Sequence, residues 1–158
     1  MKIVIVGGGK VGFAIAKELE KENHEITVVD NRPHVVSNIT NLLDVVCVEG
    51  NGADLDTLKE AGVEGADILI AATASDEVNI ISCLLAKKLG VDNTIARIRN
   101  PEYNNSTALL KDDLGLSLTV NPERLTAREI VRSIRYSNQI KVSTLAKGRI
   151  ELAEFVVD

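Results

Sequence analysis

Short apolar runs alternate with stretches of helical periodicity along most of the chain. The apolar runs have strand length and predict strands at 2–6, 25–29, 45–48, 67–71, 94–98 and 116–120. Between them, apolar residues at helical spacing predict helices at 11–19, 32–42, 55–61, 76–89 and 103–114. Repeated strand–helix units are typical of a parallel sheet covered by helices on both faces. We therefore predict a Rossmann-like α/β fold, a doubly wound parallel sheet with strand order 3-2-1-4-5-6.

The pattern changes after residue 121. A proline suits the first turn of a helix, so a helix is predicted to begin at Pro122. One side of this helix is apolar and the other carries arginines; the apolar positions are Leu125, Ile130, Val131 and Ile134. A last apolar run at 150–157 predicts a terminal strand, which suggests either a partner across an interface or a chain cut from something longer. We therefore divide the chain into residues 1–121 and 122–158.

Composition and charge narrow the class of protein. The chain has 158 residues, of which 45% are hydrophobic, and this profile is typical of a folded globular domain. A formal net charge of −5 argues against a nucleic-acid binder, which is usually basic. No apolar run is long enough to span a membrane and no leader is visible, so we expect a soluble, cytoplasmic protein. Cys47 and Cys83 lack metal-ligand spacing and are expected to be inert thiols, and no metal site is predicted.

A glycine-rich stretch follows the first predicted strand. Gly7, Gly9 and Gly12 form a G-x-G-x-x-G between a strand and a helix. In such a turn the first glycine permits the tight bend, the second lets the backbone approach a pyrophosphate, and the third lets helix and strand pack closely. The N-terminus of the following helix offers free N–H groups and about half a positive charge to an anion. The residues predicted to line this anion site are Gly8, Gly9, Lys10 and Val11, although a solvated lysine is the commoner outcome at a position such as Lys10.

An acidic residue follows at the spacing that a dinucleotide site requires. Asp30 ends the second strand, where a carboxylate accepts hydrogen bonds from the ribose hydroxyls of adenosine. The carboxylate would repel a 2′-phosphate, so the sequence predicts NAD(H) or an adenine nucleotide such as ATP or ADP rather than NADP(H). Arg32 could receive a 2′-phosphate, but beside Asp30 we place it next to the adenine ring.

Other strand ends should complete the pocket, since ligands of this fold bind at the carboxyl ends of the strands. These additional candidates are Asn51 and Gly52 after strand three and Thr73 and Ala74 after strand four. Ser75 or Asp76 caps the next helix and could also face the ligand. Arg97 lies within strand five and needs a counter-charge, which could be a ligand phosphate or an internal carboxylate.

A reaction site is much less evident than a binding site. His24 and His34 lie away from the expected nicotinamide region, and neither Tyr103 nor Tyr136 is followed by a lysine four residues later. The segment after strand six is too short for a separate substrate domain. We therefore expect no enzyme activity. The alternative is the cofactor-binding domain of a small NAD-dependent reductase, and a nucleotide-dependent dimerisation module is a further possibility.

Several motifs resemble those of the RCK/KTN family, the regulators of potassium conductance. They are G-G-G-K-V-G, V-V-D, E-G-N-G-A-D, A-A-T-A-S-D-E-V-N-I, I-A-R-I-R-N-P-E-Y and N-P-E. The resemblance runs over almost the whole chain and implies a cytoplasmic Rossmann domain that forms dimers or larger rings on a membrane potassium transporter or channel. It also implies that NAD(H), ATP or ADP binds and gates the pore by a conformational change. The nucleotide contacts it implies are Gly7 to Val11, Asp30, Asn51, Gly52, Thr73, Ala74 and Arg97.

The resemblance also gives the second segment an expected role. The helix from Pro122 would be a crossover helix that packs against a partner subunit, although its apolar stripe could instead cover the sheet of its own chain. Many family members have Asp where this chain has Asn51, which weakens the expected contact near the adenosine. Family members continue into a C-terminal ligand-binding lobe. We therefore expect 122–158 to be the crossover helix and the start of a connection to a lobe outside this chain.

Overall fold

The computed structural model describes residues 1–103, 115–135, 139–145 and 150–155, and the chain divides into two compact units, Met1–Asn121 and Pro122–Asp158. A parallel sheet of six strands forms the first unit. The strands are β1 (Lys2–Val6), β2 (Glu25–Asp30), β3 (Val46–Glu49), β4 (Ile68–Ala71), β5 (Asn93–Arg97) and β6 (Leu118–Val120). Their order is β3-β2-β1-β4-β5-β6, so the predicted 3-2-1-4-5-6 order and the Rossmann-like fold are confirmed.

Helices follow the strands as the periodicity predicts. They are α1 (Lys10–Glu20), α2 (Pro33–Leu42), α3 (Leu55–Glu60) and α4 (Asp76–Lys88), and a 3₁₀ turn at Val63–Gly65 precedes β4. The helix predicted at 103–114 lies, apart from its first residue, outside the described residues.

Strand β1 is buried on both faces at the centre of the sheet. Val4 and Val6 pack in one core with Leu58 of α3 and Cys83 of α4. Ile3 and Ile5 point to the opposite face, where the second core contains residues of α1 and α2 such as Ala16 and Ile39. Alternation along a strand places successive side chains on opposite faces, so one β-branched run supplies both cores.

The strand order reverses direction beside β1. From β1 the chain moves to β2 and β3 on one side, then returns to β4 on the other side. The loops that leave the carboxyl ends of β1 and β4 therefore separate, and a crevice opens between them.

The second unit contains α5 (Pro122–Arg135) and an antiparallel pair, β7 (Gln139–Leu145) and β8 (Ile150–Phe155). The predicted terminal strand is present as β8, and it pairs with β7, a strand not predicted from the sequence, in register Val142↔Ala153 and Leu145↔Ile150. The alternation of Ile140 and Val142 with Lys141 and Ser143 is a strand signal that could have identified β7.

Candidate functional site

A cleft of about 450 Å³ lies at the carboxyl ends of the central strands. Of the residues predicted to form the site, those that line the cleft are Gly7, Gly9, Lys10, Val11, Asp30, Asn51, Gly52, Thr73, Ala74 and Arg97. Sequence reasoning did not assign a lining position to Asn31, Gly50 or Val78, which the structure adds. Each of these residues follows a β-strand or lies at the start of a helix, beside a position that was predicted. Because ligands of this fold bind at the carboxyl ends of the strands, these residues could also have been predicted.

The glycine turn is held by close backbone contacts. Gly7 has φ +99°, a conformation that favours glycine, and a Cβ there would lie 2.8 Å from the Thr73 nitrogen. A Cβ on Gly12 would overlap the Gly7 carbonyl oxygen, so Gly12 lies beneath the turn rather than on the cleft wall. Gly8 is also outside the lining, because its α-carbon faces Val35 and Ile39 while its N–H points to Asp30. The turn therefore brings the backbones of β1, α1 and β4 into contact.

The N-terminus of α1 opens into the cleft. Gly9 is its N-cap residue, and no side chain accepts a hydrogen bond from the first-turn N–H groups. No acidic residue occupies the first turn, and Lys10 is exposed there. The positive end of the helix dipole is therefore available to an anion.

Asp30 lies at the end of β2 with only 4% of its side chain exposed. Its Oδ2 accepts hydrogen bonds from Gly8 N (2.8 Å) and Arg32 Nη2 (2.9 Å). Its Oδ1 accepts from Arg32 N (3.0 Å) and Arg32 Nε (2.9 Å). Burial by itself would raise the pKa of Asp30, but the hydrogen bonds from Arg32 and Gly8 outweigh burial and hold the pKa below its usual value. Arg32, placed beside the adenine ring by the sequence, is paired with Asp30 in this structure.

The loop after β3 comes close to the centre of the sheet. A Cβ on Gly52 would overlap the Val6 side chain, so only glycine fits there without displacing β1. Ser82 of α4 is buried, and its Oγ lies 2.8 Å from the Gly52 carbonyl oxygen, to which it can donate. Asn51 is exposed, and its Oδ1 accepts a hydrogen bond from Ala53 N (3.0 Å), which fixes the turn into α3.

A buried amide organises the loop after β4. Asn79 is fully buried; its Oδ1 accepts from Thr73 N (2.8 Å) and Thr73 Oγ1 (2.7 Å). Its Nδ2 donates to the Arg97 carbonyl (2.8 Å) and, at 3.3 Å, to the Thr73 carbonyl. The Arg97 guanidinium donates from Nη1 to the Thr73 carbonyl at 3.2 Å. Asn79 therefore connects the β4 loop to the end of β5, a role that sequence reasoning did not assign.

The start of α4 is fixed by two carboxylates. Ser75 caps the helix by accepting from Val78 N, which confirms the predicted capping role. Asp76 is buried, and its Oδ2 accepts from Arg99 N (2.9 Å) and Asn100 N (2.7 Å). Glu77 accepts from Ser75 Oγ and Tyr103 hydroxyl, both at 2.6 Å, and these two hydrogen bonds lower its pKa to about 2.

The charge of the cleft contrasts with that of the chain. Its charged lining residues are Lys10, Arg32, Arg97 and Asp30, three cations and one anion, whereas the whole chain has a formal net charge of −5. An acidic protein with a locally positive cleft and an open helix N-terminus offers a site for an anion.

Metal-ligand clusters and a reactive thiol were looked for among the described residues. No group of three or more His, Cys, Asp or Glu side chains able to hold a metal ion occurs among the described residues. Burial raises the pKa of Cys83 to about 12, so its thiol stays protonated at neutral pH.

The sequence and the fold match those of known proteins. Residues 3–122 match the family model of the TrkA-N domain. The chain belongs to this family. It is 38% identical over 157 residues to a Trk system potassium uptake protein TrkA homolog of Archaeoglobus fulgidus, covering 99% of this chain and 36% of that relative. It is 31% identical over 157 residues to the homolog of Methanothermobacter thermautotrophicus, covering 99% of this chain and 71% of that one.

Solved structures share the architecture of this TrkA-N chain. The GsuK channel bound to NAD superimposes with a TM-score of 0.73 at 22% identity, covering 92% of this chain and 25% of the channel chain. The family match confirms the resemblance that the motifs indicated, and the structural similarity supports the fold. Within the described residues, no helix is both long enough and apolar enough to cross a membrane.

Proposed function

We propose that this chain is a nucleotide-sensing regulatory domain of a potassium uptake transporter or channel, and that it binds NAD(H), ATP or ADP in the cleft. The observation that carries the proposal is the positively charged cleft between β1 and β4, into which the N-terminus of α1 opens. The relatives named as Trk potassium uptake proteins support the transport role, and the GsuK channel bound to NAD supports the ligand class.

Each part of the cleft suits one part of such a ligand. The backbone of the glycine turn and the first turn of α1 would bind the pyrophosphate. Asp30, with Asn51 and Gly52 beside it, would hold the adenosine end. Thr73, Ala74 and Arg97 would contact the distal phosphate or nicotinamide. Lys10 and Arg97 would then distinguish ligands by their number of phosphates, while Asp30 holds the adenosine common to all of them.

The domain would work as a sensor without bond chemistry. A ligand shifts a conformational equilibrium only as far as it binds one state better than the other. Apart from the four charged residues, the lining residues in the described part of the chain are apolar or carry hydroxyl and amide groups. Such side chains are poorly suited to the acid–base catalysis that accompanies hydride transfer. The alternative, the cofactor-binding domain of a reductase, would be supported instead by NADH oxidation in the presence of a carbonyl substrate.

The second unit would supply the contact between subunits. On α5, Leu125, Ile130 and Val131 are each more than half exposed and Ile134 is 73% exposed, an apolar face that packing against a second copy would bury. In this proposal 122–158 contains the crossover helix and the start of the connection to a further lobe. The homo-oligomer, a dimer or a larger ring, would act at the cytoplasmic face of the membrane through its transporter partner.

Calorimetric titration with NADH, NAD⁺, NADPH, ATP and ADP tests the nucleotide site. The informative variant is Gly9→Ala, because a Cβ there meets only Arg32 Nη2 at 3.7 Å and should not disturb the fold, yet it projects where a pyrophosphate approaches. The matched control is Gly65→Ala in the 3₁₀ turn, where a Cβ would lie 3.6 Å from Lys2 Nζ. We expect binding to the parent protein and to Gly65→Ala, and weakened binding to Gly9→Ala. Absence of binding to all three proteins would contradict the proposal.

Sedimentation analysis tests the proposed contact between subunits. Ile130→Glu places a charge on the apolar face and should shift the protein to monomer, whereas Arg128→Glu places the same side chain on the arginine-bearing side. Co-purification with a membrane potassium transporter separates the regulatory role from that of an unrelated nucleotide-dependent dimerisation module.

A further inference from the structure

All acceptor positions of the Asp30 carboxylate are in use. A carboxylate offers about four lone-pair sites, and Asp30 accepts four hydrogen bonds, two on each oxygen. Two come from the backbone N–H groups of Gly8 and Arg32, and two come from the Arg32 guanidinium. A ribose that donates its hydroxyls to Asp30 must therefore take the place of an existing donor.

The four donors differ in how easily they can be replaced. The Gly8 N–H belongs to the tightly packed glycine turn, and the Arg32 N–H belongs to the N-cap residue of α2, so both are fixed by the fold. The Arg32 side chain is 50% exposed, whereas the Asp30 side chain is 4% exposed. Arg32 Nη2 also lies 3.7 Å from the position of a Cβ on Gly9, which puts the guanidinium beside the predicted phosphate path.

We propose that Arg32 is a specificity-determining residue whose guanidinium competes with the ribose hydroxyls of the nucleotide for the Asp30 carboxylate, and leaves that carboxylate when the nucleotide binds. This inference rests on the proposed function and extends it. Binding then exchanges two charge-assisted hydrogen bonds within the protein for two hydrogen bonds from the ligand. The affinity gained from the two ribose hydroxyls is reduced by the cost of releasing Arg32.

The competition predicts a specific coupling between Arg32 and the ribose. In an Arg32→Ala variant the carboxylate keeps its two backbone donors but loses both side-chain donors, so water occupies their positions before binding. A nucleotide with both hydroxyls should then bind more tightly than before. A nucleotide without hydroxyls leaves the carboxylate short of donors and should gain nothing.

The experiment compares ADP with 2′,3′-dideoxy-ADP by calorimetry on the full chain. The measured quantity is the ratio of the two dissociation constants, in the parent protein, in Arg32→Ala and in Arg32→Lys. We expect Arg32→Ala to raise the preference for ADP by about tenfold, in line with the strength of charge-assisted hydrogen bonds. Arg32→Lys should raise it less than Arg32→Ala, because an ammonium group still pairs with the carboxylate, although without the two-pronged geometry of a guanidinium.

Lys21→Ala is the matched control, since it removes one positive charge from an exposed ion pair with Glu18 at the other end of α1. Its ratio should equal that of the parent protein. An unchanged or lower ratio in Arg32→Ala overturns the competition while leaving nucleotide binding intact. Failure of ADP to bind either the parent protein or Arg32→Ala overturns this inference, and the proposed function falls with it only if NADH and ATP fail to bind as well.

Discussion

Each side of the cleft is organised by one buried polar side chain, and these two side chains differ in their hydrogen-bond partners. On the β1–β2 side, Asp30 accepts four hydrogen bonds, two of them from the half-exposed Arg32 side chain. On the β4–β5 side, Asn79 also makes four hydrogen bonds, all of them to Thr73 or to the Arg97 carbonyl. The partners of Asp30 include a side chain that can move away. The partners of Asn79 are backbone groups and a neighbouring hydroxyl, which are fixed.

Charge explains the difference. A buried carboxylate needs compensating donors, and a cation supplies them best, but a cation also favours contact with solvent. A buried amide is neutral and can be satisfied by backbone groups alone. The β1–β2 side, where Asp30 can exchange a partner, is called the exchangeable side, and the β4–β5 side, where Asn79 keeps its partners, is called the preformed side. Four variants test how far this distinction holds.

The largest effect is expected beneath the β1–β2 side. Gly12→Ala forces a methyl group into the Gly7 carbonyl oxygen, and the backbone of the turn must shift. We expect the free energy of unfolding to fall by about 3 kcal/mol or more, as for severe overpacking. Urea denaturation measures it, with Gly9→Ala as the control because its Cβ would make only an ordinary contact at 3.7 Å. Equal stability of the two variants would contradict the packing role of Gly12.

The next effect concerns the preformed side. Asn79→Ala leaves the Thr73 N–H and the Arg97 carbonyl without their side-chain partner in the interior. Unsatisfied buried groups are costly, so we expect a loss of about 2–3 kcal/mol in the free energy of unfolding. The control is Asn51→Ala, which removes an exposed asparagine with a hydrogen bond to Ala53 N. If Asn79→Ala costs no more than Asn51→Ala, the β4 loop is not held by this amide.

A smaller effect is expected on the exchangeable side. Removing the Arg32 side chain by Arg32→Ala should cost about 1 kcal/mol, since its half-exposed position weakens the ion pair. The folded pKa of Asp30 is depressed, so the stabilisation is present above the unfolded carboxyl pKa and is lost as pH falls through the folded value. Without Arg32 the pKa of Asp30 rises, and acid unfolding should begin at higher pH. Circular dichroism during acid titration measures the midpoint; an unchanged midpoint would count against the ion pair.

The smallest effect is expected at the exposed rim of the preformed side. Tyr103→Phe removes a hydrogen bond that helps to hold the pKa of Glu77 at about 2. This bond lowers the pKa less than the bond from Ser75 does. The pKa of Glu77 should rise toward, without reaching, its ordinary value, because the Ser75 hydroxyl still donates to it. NMR titration of the Glu77 side-chain carboxyl signal follows this shift, and a pKa that stays near 2 would show that the Tyr103 hydroxyl does not contribute to it.

Local patterns predicted the sheet well because β1 to β6 are short β-branched or apolar runs separated by helical periodicity. They also predicted that Asp30 ends β2 near the glycine turn. They could not predict that Arg32 would fold back onto Asp30, since a side-chain conformation depends on donors contributed from both the turn and α2. The role of Asn79 was not predicted, because its partners, Thr73 and the Arg97 carbonyl, are separated in sequence. One of them is a backbone group, and a contact with backbone cannot be recognised from residue types.

Pairing at the centre of the sheet joins segments that are far apart in the chain, since Ile3 pairs with Ile26 on one side and with Ile68 on the other. The wall formed by β4 therefore meets the glycine turn only after the intervening β2–α2–β3–α3 segment has been closed into a loop. A nucleotide that contacts both walls would act as a reversible crosslink across that loop. Because such a ligand would bind only the folded arrangement, each increase in its concentration would lower the population of open chains. Nucleotide supply would then set the protein's lifetime against proteases as well as its conformation.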